Sequence, residues 1–285
     1  MALSDETFMT LMRLLPKSAV SHAVGIATRL PAPAPLHQAA VKLFAKRFRV
    51  DVHEAELALE GYPTFAEFFT RKLKPGARPV DQGENVIVSP VDGAVSQVGY
   101  SEDGTCLQAK GVCYPVEKLL GDAEVAKPFV GGAYTTIYLS PRDYHRIHSP
   151  VNARITGYSY IPGEFWPVNR ASVKLKEALF CVNERLTTYL DTDSHGQVAV
   201  VKVGATCVSR IRAAYDDVVT HTGGAAKVHR YGNPIPVEKG GELGVFEMGS
   251  TVILLFEKGR VRWDEGLEPE TVVRMGSRIG EWAEK

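Results

Sequence analysis

The chain has no net charge: 33 Lys and Arg balance 33 Asp and Glu over 285 residues. Composition therefore gives no support for a nucleic-acid partner, which would leave a basic footprint. No stretch approaches the ~20 consecutive apolar residues that a membrane-spanning helix needs. No secretory signal is expected, because Asp5 and Glu6 precede the first apolar patch. Cysteine is scarce. Cys106, Cys113, Cys181 and Cys207 have no metal-type spacing and read as reduced, partly buried thiols of a cytosolic protein. There is no G-x-G-x-x-G, no P-loop and no internal repeat, which removes the common nucleotide-binding and solenoid classes. No lysine sits in a pyridoxal-phosphate context, and no metal cluster is visible.

What is present is an ordinary globular balance, 45% apolar and 23% charged, enough for one large domain or a domain with an appendage. Charge is spread unevenly. Residues 1–80 carry 11 basic against 7 acidic side chains, a net of +4, so the remainder carries −4. The first 75 residues read as helical. Phe8, Leu11, Met12 and Leu15 fall on one helical face, and Pro16 ends that helix. Ser18 is placed to cap a second helix with Val20, Ala23, Val24 and Ala27 on one side. After the stiff segment Pro31 to Pro35, a third helix carries Leu36, Ala40, Leu43 and Phe44, with Lys42, Lys46, Arg47 and Arg49 nearby. Thr64 and Glu67 have capping-box spacing ahead of Phe65, Phe68, Phe69 and Leu73. These helices either pack on the body or lie in a membrane interface, apolar on one side and basic on the other.

From about residue 80 the period becomes that of strands. Val86–Val88, Ala94–Val98, Tyr134–Leu139, Ala153–Tyr160, Val198–Val203, Cys207–Ile211 and Thr251–Phe256 are rich in β-branched and aromatic residues. The expected fold class is α+β: residues 1–75 a helical, membrane-associating region, and residues 76–285 a mostly β catalytic domain.

Four stretches could carry chemistry. Gly249-Ser250 follows a Gly-rich turn (Lys239 to Gly244) and enters the apolar run Val252 to Phe256. A serine there can attack the carbonyl before it, because Gly249 has no side chain to shield that carbonyl. The resulting ester can undergo β-elimination, which cuts the chain and leaves a pyruvoyl group. The plain alternative is a small-residue turn leading into a strand. Ser89-Pro90-Val91-Asp92-Gly93 puts an acid in a tight turn, where it could equally be a turn former. Pro141 to His148 carries His145 and His148, three residues apart. Phe165-Trp166 is an aromatic pair that suits either the core or an apolar substrate. Together Asp92, a histidine and Ser250 form a set in which an acid orients a base and the base activates a hydroxyl. An Asp-His-Ser hydrolase would use the same residues on an external ester, but no Gly-x-Ser-x-Gly elbow surrounds Ser250. A non-catalytic carrier or phosphotransfer domain, with His145 or His148 as carrier, is a further alternative.

The succession of Phe68-Phe69-Thr70-Arg71-Lys72-Leu73, Ser89 to Gly93, Pro141 to His148, Val203-Gly204-Ala205-Thr206 and Gly241 to Ile253 resembles bacterial phosphatidylserine decarboxylases. Order and spacing match from about residue 60 to the C-terminus. Met248 stands where that family usually has Leu, an apolar exchange of similar volume.

The resemblance implies self-cleavage between Gly249 and Ser250, giving chains 1–249 and 250–285. Ser250 would become an N-terminal pyruvoyl group, the only cofactor, with no pyridoxal phosphate and no metal. Asp92, His148 and Ser250 match the family's self-processing triad, and His145 its decarboxylation histidine, with a phosphate contact also open to His145. The implied reaction converts phosphatidylserine to phosphatidylethanolamine and CO2 through a Schiff base with the pyruvoyl carbonyl. The implied body is similar to a barrel-sandwich architecture. The implied setting is the cytoplasmic face of the bacterial inner membrane, as a homodimer of processed pairs attached peripherally.

Overall fold

The computed structural model describes residues 4–31, 33–109, 111–206, 210–247 and 251–284. Met248, Gly249 and Ser250 lie outside the described residues, as does Cys207 with the first part of the strand expected at 207–211.

The helical region comes first, as expected. It comprises α1 (Asp5–Leu14), α2 (Lys17–Arg29), α3 (Ala34–Phe48) and the short α4 (Phe65–Phe69). The Ser4 side chain caps α1 by accepting from the Thr7 amide. The second helix starts two residues earlier than its expected Ser18 cap allows: Pro16 takes the N-cap position and no side chain caps it. Proline is tolerated there because the first amides of a helix lack intrahelical acceptors anyway. Thr64 caps α4 through the Glu67 amide at 3.2 Å, as the spacing predicts. α3 and α4 close a small core of Val41, Ala45, Val50, Tyr62 and Phe68.

The rest is β-rich: β1 (Val86–Val88), β2 (Gly93–Tyr100), β3 (Thr105–Ala109), β4 (Val112–Pro115), β5 (Ala133–Tyr138), β6 (Arg146–His148), β7 (Ala153–Ile161), β8 (Arg185–Thr192), β9 (Gly196–Val203), β10 (Ile211–Ala213), β11 (Lys227–Val237), β12 (Glu242–Phe246), β13 (Thr251–Phe256), β14 (Val261–Trp263), β15 (Val272–Val273) and β16 (Arg278–Trp282). Eight of these form one antiparallel sheet in the order β11-β7-β8-β9-β13-β5-β2-β15. This sheet is open, with β11 and β15 at its ends, and is not a closed barrel. Three-stranded sheets β10-β12-β6 and β1-β16-β14 pack beside it. The fold is α+β, as the residue periodicities predict.

β13 lies near the middle of the large sheet, between β5 and β9, with all its residues buried. Alternation sends Val252, Leu254 and Phe256 into one apolar core and Ile253 and Leu255 into the other. A strand apolar on both faces reads as an unbroken hydrophobic run, which is why its sequence is legible. β11 reads poorly because it is an edge strand whose residues are mostly exposed. Of the described cysteines, Cys106 is buried and Cys113 is exposed, so the expected burial holds only in part.

Candidate active site

β6 organises the site. Its three residues pair with β12, with His148 opposite Glu242 and Arg146 opposite Val245. The Arg146 guanidinium grips both Glu242 carboxylate oxygens at 2.8 and 2.9 Å, fixing that register from the side. The His148 amide donates to the Pro90 carbonyl at 2.9 Å, so the Ser89–Gly93 turn lies against β6. Gly93 is required there: a Cβ would meet the Tyr138 carbonyl oxygen at 2.4 Å.

Three-residue spacing on an extended chain puts the two histidines on opposite sides. The shared helical face that would make their roles interchangeable is therefore absent. His145 is 1% exposed and packs its ring 4.1 Å from that of Phe69. Its Nδ1 lies 2.8 Å from the Asp143 carbonyl oxygen, which can only accept, so Nδ1 carries the proton. Nε2 is buried with no hydrogen-bond partner among the described residues. Burial, reinforced by the nearby Arg71 charge, pushes His145 down to about 3, so it is neutral at ordinary pH. Arg71 is itself buried. Its Nη2 donates to the Arg142 and Asp143 carbonyls, while Nε and Nη1 have no partner among the described residues.

His148 faces a different environment. Its Nδ1 donates to the Gly240 carbonyl at 2.8 Å, and the Tyr144 hydroxyl sits 3.2 Å from Nε2. Gly240 adopts φ +82°, a left-handed conformation that suits glycine and turns this carbonyl toward the imidazole. Burial lowers the His148 pKa, and the Gly240 bond works the other way. Burial pushes Tyr144 up to about 12, which keeps its phenol protonated as a donor to Nε2.

Asp92 is buried in its turn, but among the described contacts it makes no hydrogen bond to His148. Its Oδ1 accepts from the Met275 amide at 2.8 Å and from Arg78 Nε at 2.8 Å, and its Oδ2 from Arg78 Nη2 at 2.6 Å. The orienting contact expected of Asp92 is made instead by the Gly240 carbonyl. The Asp92 charge still acts through space, favouring the protonated imidazole of His148. Sequence reasoning missed Tyr144, Gly240 and Arg71 as neighbours of the histidines, and Arg78 as the partner of Asp92. The first three lie in stretches already singled out and Arg78 lies between two of them, but no local pattern distinguishes a side chain that holds a base from one that fills space.

Gly249 and Ser250 lie outside the described residues, but the chain on either side is held. The Phe246 amide donates to the His145 carbonyl at 3.0 Å, and the Glu247 amide to the Arg210 carbonyl at 2.9 Å. The Glu247 carboxylate meets Arg29, from the end of α2, at 3.1 Å. On the far side Thr251 pairs with Tyr138 and Val203. Phe165 and Trp166 are both buried. The Phe165 ring lies 4.5 Å from that of His221, and both residues line a cavity of about 900 Å³ with Pro16, Lys17 and His22 of the helical region. Lys17 Nζ sits 4.1 Å from the Trp166 ring centre. No group of three or more His, Cys, Asp or Glu able to hold a metal occurs among the described residues.

Comparison with known proteins gives one family. Residues 65–281 match the model of the phosphatidylserine decarboxylase family. The phosphatidylserine decarboxylase proenzyme of Myxococcus xanthus (strain DK1622) is 72% identical over 278 residues, which is 98% of this chain and 99% of that protein. Those of Anaeromyxobacter sp. (strain K) and Brevibacillus brevis (strain 47 / JCM 6285 / NBRC 100599) are 53% and 43% identical, covering 98% and 94% of this chain and 99% and 95% of theirs. These relationships do not support the hydrolase or carrier readings. With its motifs in register over nearly its whole length, the chain belongs to the phosphatidylserine decarboxylase family.

Proposed function

We propose that this chain is a precursor that cuts itself between Gly249 and Ser250 and then, as two chains, decarboxylates phosphatidylserine to phosphatidylethanolamine. Near-complete identity coverage with three proenzymes of that activity carries the reading. In maturation the Ser250 hydroxyl attacks the Gly249 carbonyl. His148 is the base that draws its proton, since an unassisted serine hydroxyl is a poor nucleophile near neutral pH. Gly240 fixes the His148 tautomer with Nε2 as the lone-pair nitrogen, so Tyr144 has to yield or pass on a proton when Nε2 acts. Asp92 stabilises the imidazolium by its charge.

A pyruvoyl group on residue 250 fits these surroundings. The buried, unpartnered Nε2 of His145 needs a polar neighbour, and Phe246, four residues before Ser250, is tied to the carbonyl of that same histidine. When formed, the group supplies an electron sink for the charge left on the substrate α-carbon by loss of CO2. His145 provides the proton for that carbon. Its neutral resting state means that it takes up the proton only when an anion, such as the substrate phosphate, enters beside it and offsets Arg71 and burial. Phe165 and the cavity behind it provide an apolar approach for lipid.

No helix among the described residues is long and apolar enough to cross a membrane. Attachment is peripheral in this proposal. It runs through residues 1–75, where Leu11, Leu14, Leu30, Leu36 and Leu43 stay exposed on helices that also carry Lys and Arg. The cytoplasmic face and a homodimer of processed pairs belong to the same proposal.

The mass of the purified protein tests the reading. Two chains are expected, the smaller blocked at its N-terminus and reactive to carbonyl reagents, with CO2 released from phosphatidylserine vesicles. An intact chain that still releases CO2 overturns it.

A further inference from the structure

The carboxylate that the family resemblance places in self-processing is held by a residue the resemblance does not mention. Asp92 is 6% exposed, at the edge of a cavity of about 280 Å³. Arg78 approaches it edge-on: Nε lies 2.8 and 3.0 Å from Oδ1 and Oδ2, and Nη2 lies 2.6 Å from Oδ2. This is the planar fork that guanidinium makes with carboxylate and that a lysine cannot copy. Arg78 is itself fixed at every terminal nitrogen. Nη1 donates to the Ala77 carbonyl at 2.7 Å, and Nη2 also donates to Glu54 at 2.8 Å. Glu54 in turn meets Arg274 at 3.3 Å, and the next residue, Met275, gives its amide to Asp92. The acid thus stands at a junction of three segments distant in sequence. One is the link between α3 and α4, which carries Glu54, one is the 78–92 stretch, and one is the 274–275 turn near the C-terminus.

We propose that Arg78 is a positioning residue for self-processing: it sets the orientation of Asp92 and supplies the counter-charge that lets a buried carboxylate stand near His148. This rests on the self-cleavage reading above. Without Arg78 the carboxylate keeps, among the described contacts, one donor, the Met275 amide, on one oxygen. It is then free to turn away from His148 or toward the arginines that line the adjoining cavity of about 280 Å³, Arg49, Arg71, Arg142 and Arg274. Glu54 has a lesser part, because it touches only the outer nitrogen of the guanidinium.

The test follows the appearance of the two chains after expression of Arg78→Ala, Arg78→Lys, Asp92→Asn and the double variant Arg78→Ala/Asp92→Asn, with thermal melts alongside. Arg78→Ala is expected to mature about 10- to 100-fold more slowly than the parent, the usual scale for losing a residue that orients a reacting group. Arg78→Lys should recover part of that loss. Millimolar guanidinium ion should speed Arg78→Ala several-fold and leave Asp92→Asn and the double variant unmoved, a rescue that a merely structural ion pair would not show. Folded Arg78→Ala or Arg78→Lys that matures at the parent rate overturns the proposal, as does guanidinium acting equally on the double variant. If Arg78→Ala does not fold, Arg78→Lys decides. If both fail to fold while the double variant folds, the pair is structural and the proposal falls. A parent chain that is never cut sinks the self-cleavage reading instead, and is seen in the parent's own mass before any variant is compared.

Discussion

The β body and the N-terminal helices treat the same kinds of residue in opposite ways. In the body, β13 buries every residue it has, and even polar groups are sealed: Lys202, His145 and Arg185 are all nearly inaccessible. In the helices, Leu14 is 79% exposed and Leu43 is 69% exposed, while α1 buries only Met9. An exposed leucine alone is unremarkable, but several on three consecutive helices form a surface that water does not favour. The body is a scaffold that excludes water from a polar site. The helices leave an apolar surface uncovered.

The sharpest break of that comparison lies in the body, between the two histidines. His148→Ala and Asp92→Asn are expected to stall as the uncut precursor. His145→Ala should be cut and yet lose about 10²- to 10⁴-fold of its CO2 release, the usual contribution of a general acid–base group. A gel beside a CO2 assay reads both. The division fails if His145→Ala is the uncut protein. Tyr144→Phe sharpens it further. Removing the donor to Nε2 takes away a bond that favours neutral His148, so the pH profile of self-cleavage should move to higher pH. An unmoved profile would make Tyr144 a packing residue.

A second, smaller effect probes how completely the body excludes water. Lys202 is fully buried, its ammonium held by Thr188 with no carboxylate beside it among the described contacts, and burial lowers it to about 7. An unfolded lysine titrates near 10.4. The folded pKa is below the unfolded one, so between about 7 and 10 the unfolded chain binds the extra proton and stability rises with pH. Below pH 7 the buried charge carries its whole penalty. Lys202→Met should raise stability at pH 7 by about 1–4 kcal/mol and flatten the pH dependence above it. A lower melting temperature would show that the ammonium has partners that offset its burial.

The two regions also differed in how legible they were. Thr251–Phe256 was readable to the residue because a strand buried on both faces is apolar without interruption. α1 is readable because its apolar residues recur on one helical face, and α4 because its cap is local, Thr64 to the third amide beyond. β11 was not readable, since an exposed edge strand carries little periodic signal. At the site, the motifs located His145, His148 and Asp92, and the residues that hold them escaped notice. Arg78, Gly240 and Met275 reach the site through contacts spanning 14, 92 and 183 positions of sequence. Such contacts are made by the fold, and no local pattern in the sequence links the partners. The bond to His148 Nδ1 among the described contacts is of this kind: it goes to the Gly240 carbonyl, brought in by the turn before β12, while Asp92 acts on the imidazole by charge.

The helices should give the smallest effect on the body, and this is the other half of the comparison. Leu14→Glu, Leu30→Glu and Leu43→Glu each replace a side chain that is more than half exposed, so little packing is lost. Each should change stability by no more than about 0.5 kcal/mol, the range for surface substitutions. Self-cleavage should continue at the parent rate, because each of the three side chains is turned largely to solvent. Binding to vesicles is a different matter. Burying one leucine contributes about 1.5–3 kcal/mol, and a glutamate placed there adds a charge that anionic lipid repels. The triple variant should therefore leave the membrane fraction while remaining folded and cut. Deleting residues 1–30 should act in the same direction, although it also removes Met9 from its contact with Ser172 and Arg29 from Glu247. The leucine variants are thus the cleaner experiment. If the triple variant sediments with anionic vesicles as fully as the parent, the exposed leucines face another protein surface, and the attachment to lipid must be sought on the body.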